Sequence, residues 1–300
     1  MSNRSCLLYL ALLLGLLVLT VAGMVSLIRG LTRTWESESG WIGPVLKEFG
    51  PGLDSLEAEM GKGVWEEFRQ QFPEIRDKSA TTTLDRLCAR LCLANGIDTG
   101  TLRRHLLLNS QVNAMALPGK RLVVYSGLVR EARHPDEVAG VLAHELAHIT
   151  EGHVRQKVFK EAGLQMILWW IFGDAGGGLH QVAGMLGSSA FDRHLESRAD
   201  RLAVQYLHQA RINPEGLATF MDRLAAAETQ GPTPTTWFST HPASAQRART
   251  IRSLARSHLP PSTQQGSTLP ANPYSSSLQP EEWTSFQKNL RKKSKSTPDF

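Results

Sequence analysis

Cysteine is scarce in this chain, at 3 among 300 residues, which rules out a disulfide-built scaffold and a thiolate-only metal site. Cys6 lies inside an apolar run, while Cys88 and Cys92 sit four apart on an expected helix. That spacing is poor for a mutual disulfide, so both are read as packed thiols. Long hydrophobic runs are equally rare. The stretch Cys6 to Ile28 runs 23 residues without a charge; as a helix it would extend roughly 34 Å, enough for a hydrocarbon core of about 30 Å. It is read as an uncleaved transmembrane anchor, the alternative being a signal peptide with Arg4 as its n-region and a small-residue site near Ala22 and Gly23. Charge of one sign does not dominate, with 33 basic against 28 acidic residues and a net charge of +5. Much of the excess sits in Lys288, Arg291, Lys292, Lys293 and Lys295. No nucleic-acid fold signature accompanies that cluster, so a nucleic-acid partner is not expected.

Residues 144 to 148 read HELAH. On a helix His144 and His148 fall one turn apart on one face, where both imidazoles reach a single metal ion. Glu145 lies about 100° further round, close enough to touch a water on that metal. Zinc suits such a site because it accepts imidazole nitrogen, leaves a position open and lowers the pKa of a bound water. Upstream, Pro135, Asp136 and Glu137 open an apolar stripe of Val138, Val141, Leu142, Leu146 and Ile149 at helical spacing. A third ligand has to come from elsewhere. On a continuous helix His153 would lie about 180° from His144 and point away from the metal. It is read as a histidine at the surface or just behind the ligands.

A second helix is expected over FDRHLESRADRLAVQYL, Phe191 to Leu207, and it carries Glu196 and Asp200 four residues apart. Glu196 would complete a two-histidine, one-carboxylate site, and Asp200 would orient a ligand imidazole through its free ring nitrogen. The competing reading pairs both acids with Arg193 and Arg201 as solvated charges.

Four blocks occur in order: NAMALPGKRLVVYSGL, EVAGVLAHELAHITEGH, ESRAD and STHPASAQR. With them the chain resembles the zinc metallopeptidases of the HtpX, BepA, Oma and CAAX prenyl protease kind, metallopeptidase family forty-eight. The resemblance implies one zinc ion held by His144, His148 and Glu196, with Glu145 as general base and Asp200 behind the ligands. It further implies that His241 and Arg247 steady the oxyanion or gate the metal, a role in keeping with the negative charge of a tetrahedral intermediate. Asn113 and Ala114 fall where relatives hold substrate as an added strand; read from its residue type alone, Asn113 is equally a turn residue. Lys120 stands where relatives usually have a glycine, and Ala210, Arg211 and Ile212 replace a more usual glycine and aromatic. A prenyl-peptide chamber needs several membrane spans, and this chain offers one such stretch.

The expected fold is α+β and mainly helical: a zincin-type metallopeptidase domain with a small sheet beside the HELAH helix, preceded by one transmembrane helix. Residues 1–28 are the anchor, 29–80 a juxtamembrane linker with amphipathic helices, 81–256 the peptidase domain, and 257–300 a disordered tail with the basic cluster. Within the domain, 81–95 read as a helix. HLLLNS and RLVVYS read as strands joined through the Pro118 and Gly119 turn. Leu164 to Phe172, then GDAGGG and a second weakly apolar stretch to Ala190, reads as a hairpin with a flexible tip. Its alternatives are buried core, a lip at the membrane or a flap over the cleft, and the flap or lip is favoured. The expected activity is a membrane-anchored endopeptidase on the non-cytosolic, periplasmic side, cutting unfolded or misassembled envelope polypeptides. An envelope assembly partner or a homo-oligomer is also entertained. The alternative is a chaperone-like factor that grips extended polypeptide with latent proteolysis.

Overall fold

A computed structural model of the chain describes residues 50–158, 160, 178–188, 190–228, 236–242, 245–257 and 274–295. The expected anchor over Cys6 to Ile28 and the expected flap over Leu164 to Phe172 lie outside these residues. Among the described residues, no helix is long and apolar enough to cross a membrane.

The architecture is mainly helical around a three-stranded sheet. Helix α1 (Gly50–Gln71) and helix α2 (Lys78–Ala94) come first. Asp77 caps α2 by accepting from the amides of Ser79 and Ala80, an orthodox N-cap that starts the helix three residues before the sequence alone suggested. Strands β1 (Arg103–Leu107), β2 (Ala114–Leu117) and β3 (Arg121–Tyr125) follow. Then come α3 (Ser126–Glu131), α4 (Pro135–Thr150), α5 (Gly178–Ser188), α6 (Arg193–Gln209), α7 (Glu215–Glu228), α8 (Thr236–Thr240), α9 (Ala245–Ser257) and α10 (Pro280–Lys295).

The strand order is β1-β3-β2, with β1 parallel and β2 antiparallel to β3. The Pro118 and Gly119 turn therefore joins β2 to β3 rather than the two strands that were expected to share it. Strand β2 escaped notice because all four of its residues, AMAL, are buried, so no polar alternation marks it. All five residues of the central strand β3 are buried as well. Leu122 and Val124 face a core built with α2, α4, α6, α7, α9 and α10, while Val123 and Tyr125 face a second core built with α1 and α5.

Helices on both sides of residues 81–256 also join the folded cores. Within residues 29–80, α1 sends Met60, Val64, Trp65 and Phe68 into the second core beside Met115, Leu117 and Leu186. Within residues 257–300, helix α10 buries Trp283, Phe286 and Leu290 in the main core, and Gln287 donates to the carbonyls of Val129 and Ala132. Lys288, Arg291 and Lys292 of the basic cluster occupy the exposed face of this helix.

Candidate metal centre

Helix α4 begins as its sequence directs. Pro135 stands in the first turn, Asp136 and Glu137 complement the positive end of the helix dipole, and His134 accepts from the amide of Asp136. The helix is apolar nearly all round and packs between β2, α6 and α7. His144, Glu145 and His148 are consequently taken fully out of solvent. Helix α6 lies against α4 with Leu195, Glu196, Ala199, Asp200, Ala203, Val204 and Leu207 along its buried face. Glu196 and Asp200 thus belong to the interface, and the solvated-charge alternative fails.

The structure brings together His144, His148, Glu196 and His241, whose ligand atoms all lie within 4.8 Å of one another. The Nε2 atoms of His144 and His148 are 3.1 Å apart. Glu196 Oε2 is 3.5 Å from His144 Nε2, and Glu196 Oε1 is 3.3 Å from His148 Nε2. His241 Nδ1 approaches Glu196 Oε1 to 2.9 Å and His144 Nε2 to 3.3 Å.

Around this cluster the supporting contacts are specific. His144 Nδ1 lies 3.1 Å from Asp200 Oδ1. Arg247 donates to both oxygens of Asp200 at 2.8 Å, sets Nη1 2.6 Å from Glu196 Oε2, and donates to the Pro242 carbonyl beside His241. A planar guanidinium suits such a bidentate clamp. Burial alone would raise the Glu196 carboxyl, but the neighbouring His241 and His144 hold it well below its ordinary range. For His144, burial acts downward and is outweighed by the carboxylates of Glu196 and Asp200, so its pKa rises to about 9. Burial pushes His148 down to about 3, aided by the neighbouring histidines. Two facing imidazoles in a dry site hold one proton more easily than two.

Glu145 is held from both sides. Its Oε2 accepts from the Ala116 amide at 3.0 Å, and its Oε1 accepts from the Trp237 indole at 3.0 Å. His241 Nε2 is 3.2 Å from the same Oε1. Sequence reasoning missed both Ala116 and Trp237. Trp237 precedes His241 by four residues, one helical turn, so the same-face spacing was available as a signal; the Ala116 amide is backbone and leaves none. Phe191, whose ring packs 4.1 Å from that of His148, was also missed as part of the site.

Asn113 and Ala114 stand at the start of β2, buried, with the Asn113 carbonyl accepting from the Tyr125 amide. His153 does not point away. Helix α4 ends at Thr150, Gly152 takes φ +66°, and the chain turns into a new helical stretch from residue 153. His153 Nδ1 then lies 3.1 Å from His148 Nδ1.

The donor set fits zinc. Three imidazoles and one carboxylate converge in a buried space, and the outer nitrogens of His144 and His148 each face a partner that keeps the inner nitrogen directed inward. The chain is also similar to known proteins. The sequence profile of peptidase family M48 matches residues 79–255. A beta-barrel assembly-enhancing protease of Yersinia pestis is 29% identical over 69% of this chain and 46% of its own length. The mitochondrial metalloendopeptidase OMA1 of Schizosaccharomyces pombe is 29% identical over 57% of this chain and 52% of its own. The metalloprotease LoiP of Escherichia coli is 32% identical over 53% of this chain and 65% of its own. The chain thus spans about half the length of the first two relatives. With a matched segment covering more than half of its residues, and with the buried donor set of His144, His148, Glu196 and His241 inside that segment, the chain belongs to peptidase family M48.

Proposed function

We propose that His144, His148 and Glu196 hold one zinc ion per chain and that Glu145 is the general base of peptide-bond hydrolysis. The observation that carries this reading is the meeting of these ligands with a carboxylate oriented by the Ala116 amide and the Trp237 indole. Bound zinc supplies Lewis acidity and lowers the pKa of a water molecule. Glu145 takes a proton from the attacking water and returns it to the leaving amine. Asp200 fixes the ring of His144, and Arg247 fixes Asp200 and Glu196 while adding positive charge near the developing oxyanion. His241 would steady the oxyanion or gate the metal. Ala114, the first residue of edge strand β2, and Asn113 just before it hold substrate as an added strand.

The substrates in this reading are unfolded or misassembled envelope polypeptides, cut by a domain tethered on the non-cytosolic side of a membrane by residues 6–28. Support comes from the name of the beta-barrel assembly-enhancing relatives and from the charge-free run. An assembly partner belongs to the same proposal. A second reading, a chaperone-like or latent state, is favoured by one observation. His144, Glu145, His148, Glu196 and His241 are each at most 3% exposed, and both Glu145 oxygens are engaged.

The test pairs metal content with casein cleavage for the full chain and Glu145→Gln. Zinc near one per chain in both, with cleavage reduced about 10²–10⁴-fold in the variant, supports the peptidase reading. Equal cleavage by both proteins removes Glu145 from the mechanism. Zinc in both with cleavage in neither turns the assignment to the latent reading.

A further inference from the structure

His153 is buried, at 1% exposure, and no catalytic or ligand role absorbs it. It reaches the site because Gly152, at φ +66°, reverses the chain after α4. Its ring centroid lies 5.0 Å from that of His148, with the two planes at 71°. The Nδ1 atoms face each other at 3.1 Å. The opposite nitrogen of His148, Nε2, faces Glu196 and His144.

These distances constrain where the protons are. A ring nitrogen that takes a metal presents a lone pair to it, so Nε2 of His148 carries no proton in the loaded site. The single proton of the neutral ring is then on Nδ1. A hydrogen bond between two Nδ1 atoms needs one donor and one acceptor. His153 must therefore accept through Nδ1 and keep its own proton on Nε2. We infer that His153 is a positioning residue, accepting the Nδ1 proton of His148 and thereby setting both the tautomer and the orientation of that ligand. This inference rests on the zinc site proposed above.

The arrangement is asymmetric between the two histidine ligands. His144 faces the carboxylate of Asp200 at 3.1 Å, whereas His148 faces a second imidazole. Phe191 packs against His148 at 4.1 Å between ring centroids but offers no acceptor, so it restrains the ring without choosing its tautomer. Residues behind metal ligands typically alter metal affinity about 10–100-fold when replaced.

The experiment uses the full chain with His153→Phe and His153→Gln. Zinc affinity is read by competition with a chelating dye, and the ligand field by the visible spectrum of the cobalt(II)-loaded proteins. His153→Phe, which keeps a ring but loses the acceptor, is expected to bind zinc about 10–100-fold more weakly and to shift the cobalt bands. His153→Gln, whose side-chain carbonyl can accept from Nδ1, is expected to restore most of the affinity. Equal zinc affinity and an unchanged spectrum in His153→Phe overturn the inference, as does equal weakening in both variants. Nitrogen-15 spectra of histidine-labelled, zinc-loaded wild type supply a measure that does not depend on any variant folding. A proton on Nδ1 of His148 and on Nε2 of His153 supports the assignment, and a proton on Nδ1 of His153 overturns it. Wild-type protein that binds no zinc would instead overturn the metal site itself.

Discussion

His105 shows how a single residue couples this fold to pH. Its ring stacks on Trp65 of α1 at 3.6 Å and 22°, and its Nδ1 lies 2.8 Å from Glu74 Oε1. Its Nε2 is buried with no hydrogen-bond partner among the described residues. Protonation would place an N–H at Nε2 with nothing to receive it. Burial accordingly holds the His105 pKa below 6.5, with Glu74 only partly opposing the shift. The unfolded chain takes up this proton near pH 6.5 while the folded chain resists it, so stability is lost as pH falls from 6.5 toward the lower folded value. For Glu74, burial acts upward, but His105 and Arg76 hold its pKa below 4.5. Its contribution therefore persists until pH falls through that lowered value. Denaturant midpoints measured from pH 7.5 to 5 should decline more steeply for wild type than for His105→Gln. Parallel curves would show that His105 titrates alike in both states.

At the scale of elements, the placing of α4 depends on how closely α7 can approach it. A Cβ built on Gly140 would come within 2.7 Å of Leu217 Cβ and 2.9 Å of Leu217 Cα. Gly216 makes the reciprocal approach, its own Cβ falling 2.6 Å from the Asp136 carbonyl oxygen. The two helices touch backbone to backbone just one turn before His144. Gly140→Ala should gain about 1 kcal/mol in helix propensity, yet the overlap with α7 costs about 1–3 kcal/mol. A net loss in urea denaturation is the expected outcome. A gain would mean that α7 can move outward freely. Among the described residues, Lys120 and Arg211 take positive φ in turns without being glycine, each at 54°. Both lie where the resemblance had marked a departure from glycine. Arg211 ends α6, where the Ile212 amide donates to Leu207 and the Arg90 guanidinium binds the Ala210 and Arg211 carbonyls. That ready-made counterpart on α2 offsets what the missing glycine would have eased.

For the molecule as a whole, the C-terminal segment acts as a fastening across the domain. Ser277 donates to Asp136 in the first turn of α4, Arg90 binds Ser275 and Ser276, and Asn289 donates to Ser79 on α2. Phe286 is 1% exposed within the main core. Phe286→Ala should destabilise the protein by about 3–5 kcal/mol, the usual range for deleting a buried phenylalanine, as read by chemical denaturation. Unchanged stability would show that α10 is detachable. The start of this helix was open to reading in PEEW, a proline followed by two acids, and its apolar stripe in Trp283, Phe286 and Leu290. The Ser- and Pro-rich composition before it outweighed those marks.

The pairing of candidate ligand side chains could be read from the chain alone because HELAH and ESRAD encode it at short range. One helical turn sets His144 beside His148 and Glu196 beside Asp200, whatever the rest of the molecule does. Strand β2 was illegible because burial on both faces erases alternation. Tertiary structure alone decided which groups hold Glu145, since one is a backbone amide on β2 and the other an indole on α8. It also decided where His153 lies: a continuous helix turns this residue away from the histidine cluster, and a single positive φ at Gly152 turns it back to within 3.1 Å of His148. Spacing along the chain determines contacts within a helix, whereas contacts between elements depend on where each helix stops and how closely its neighbour can pack.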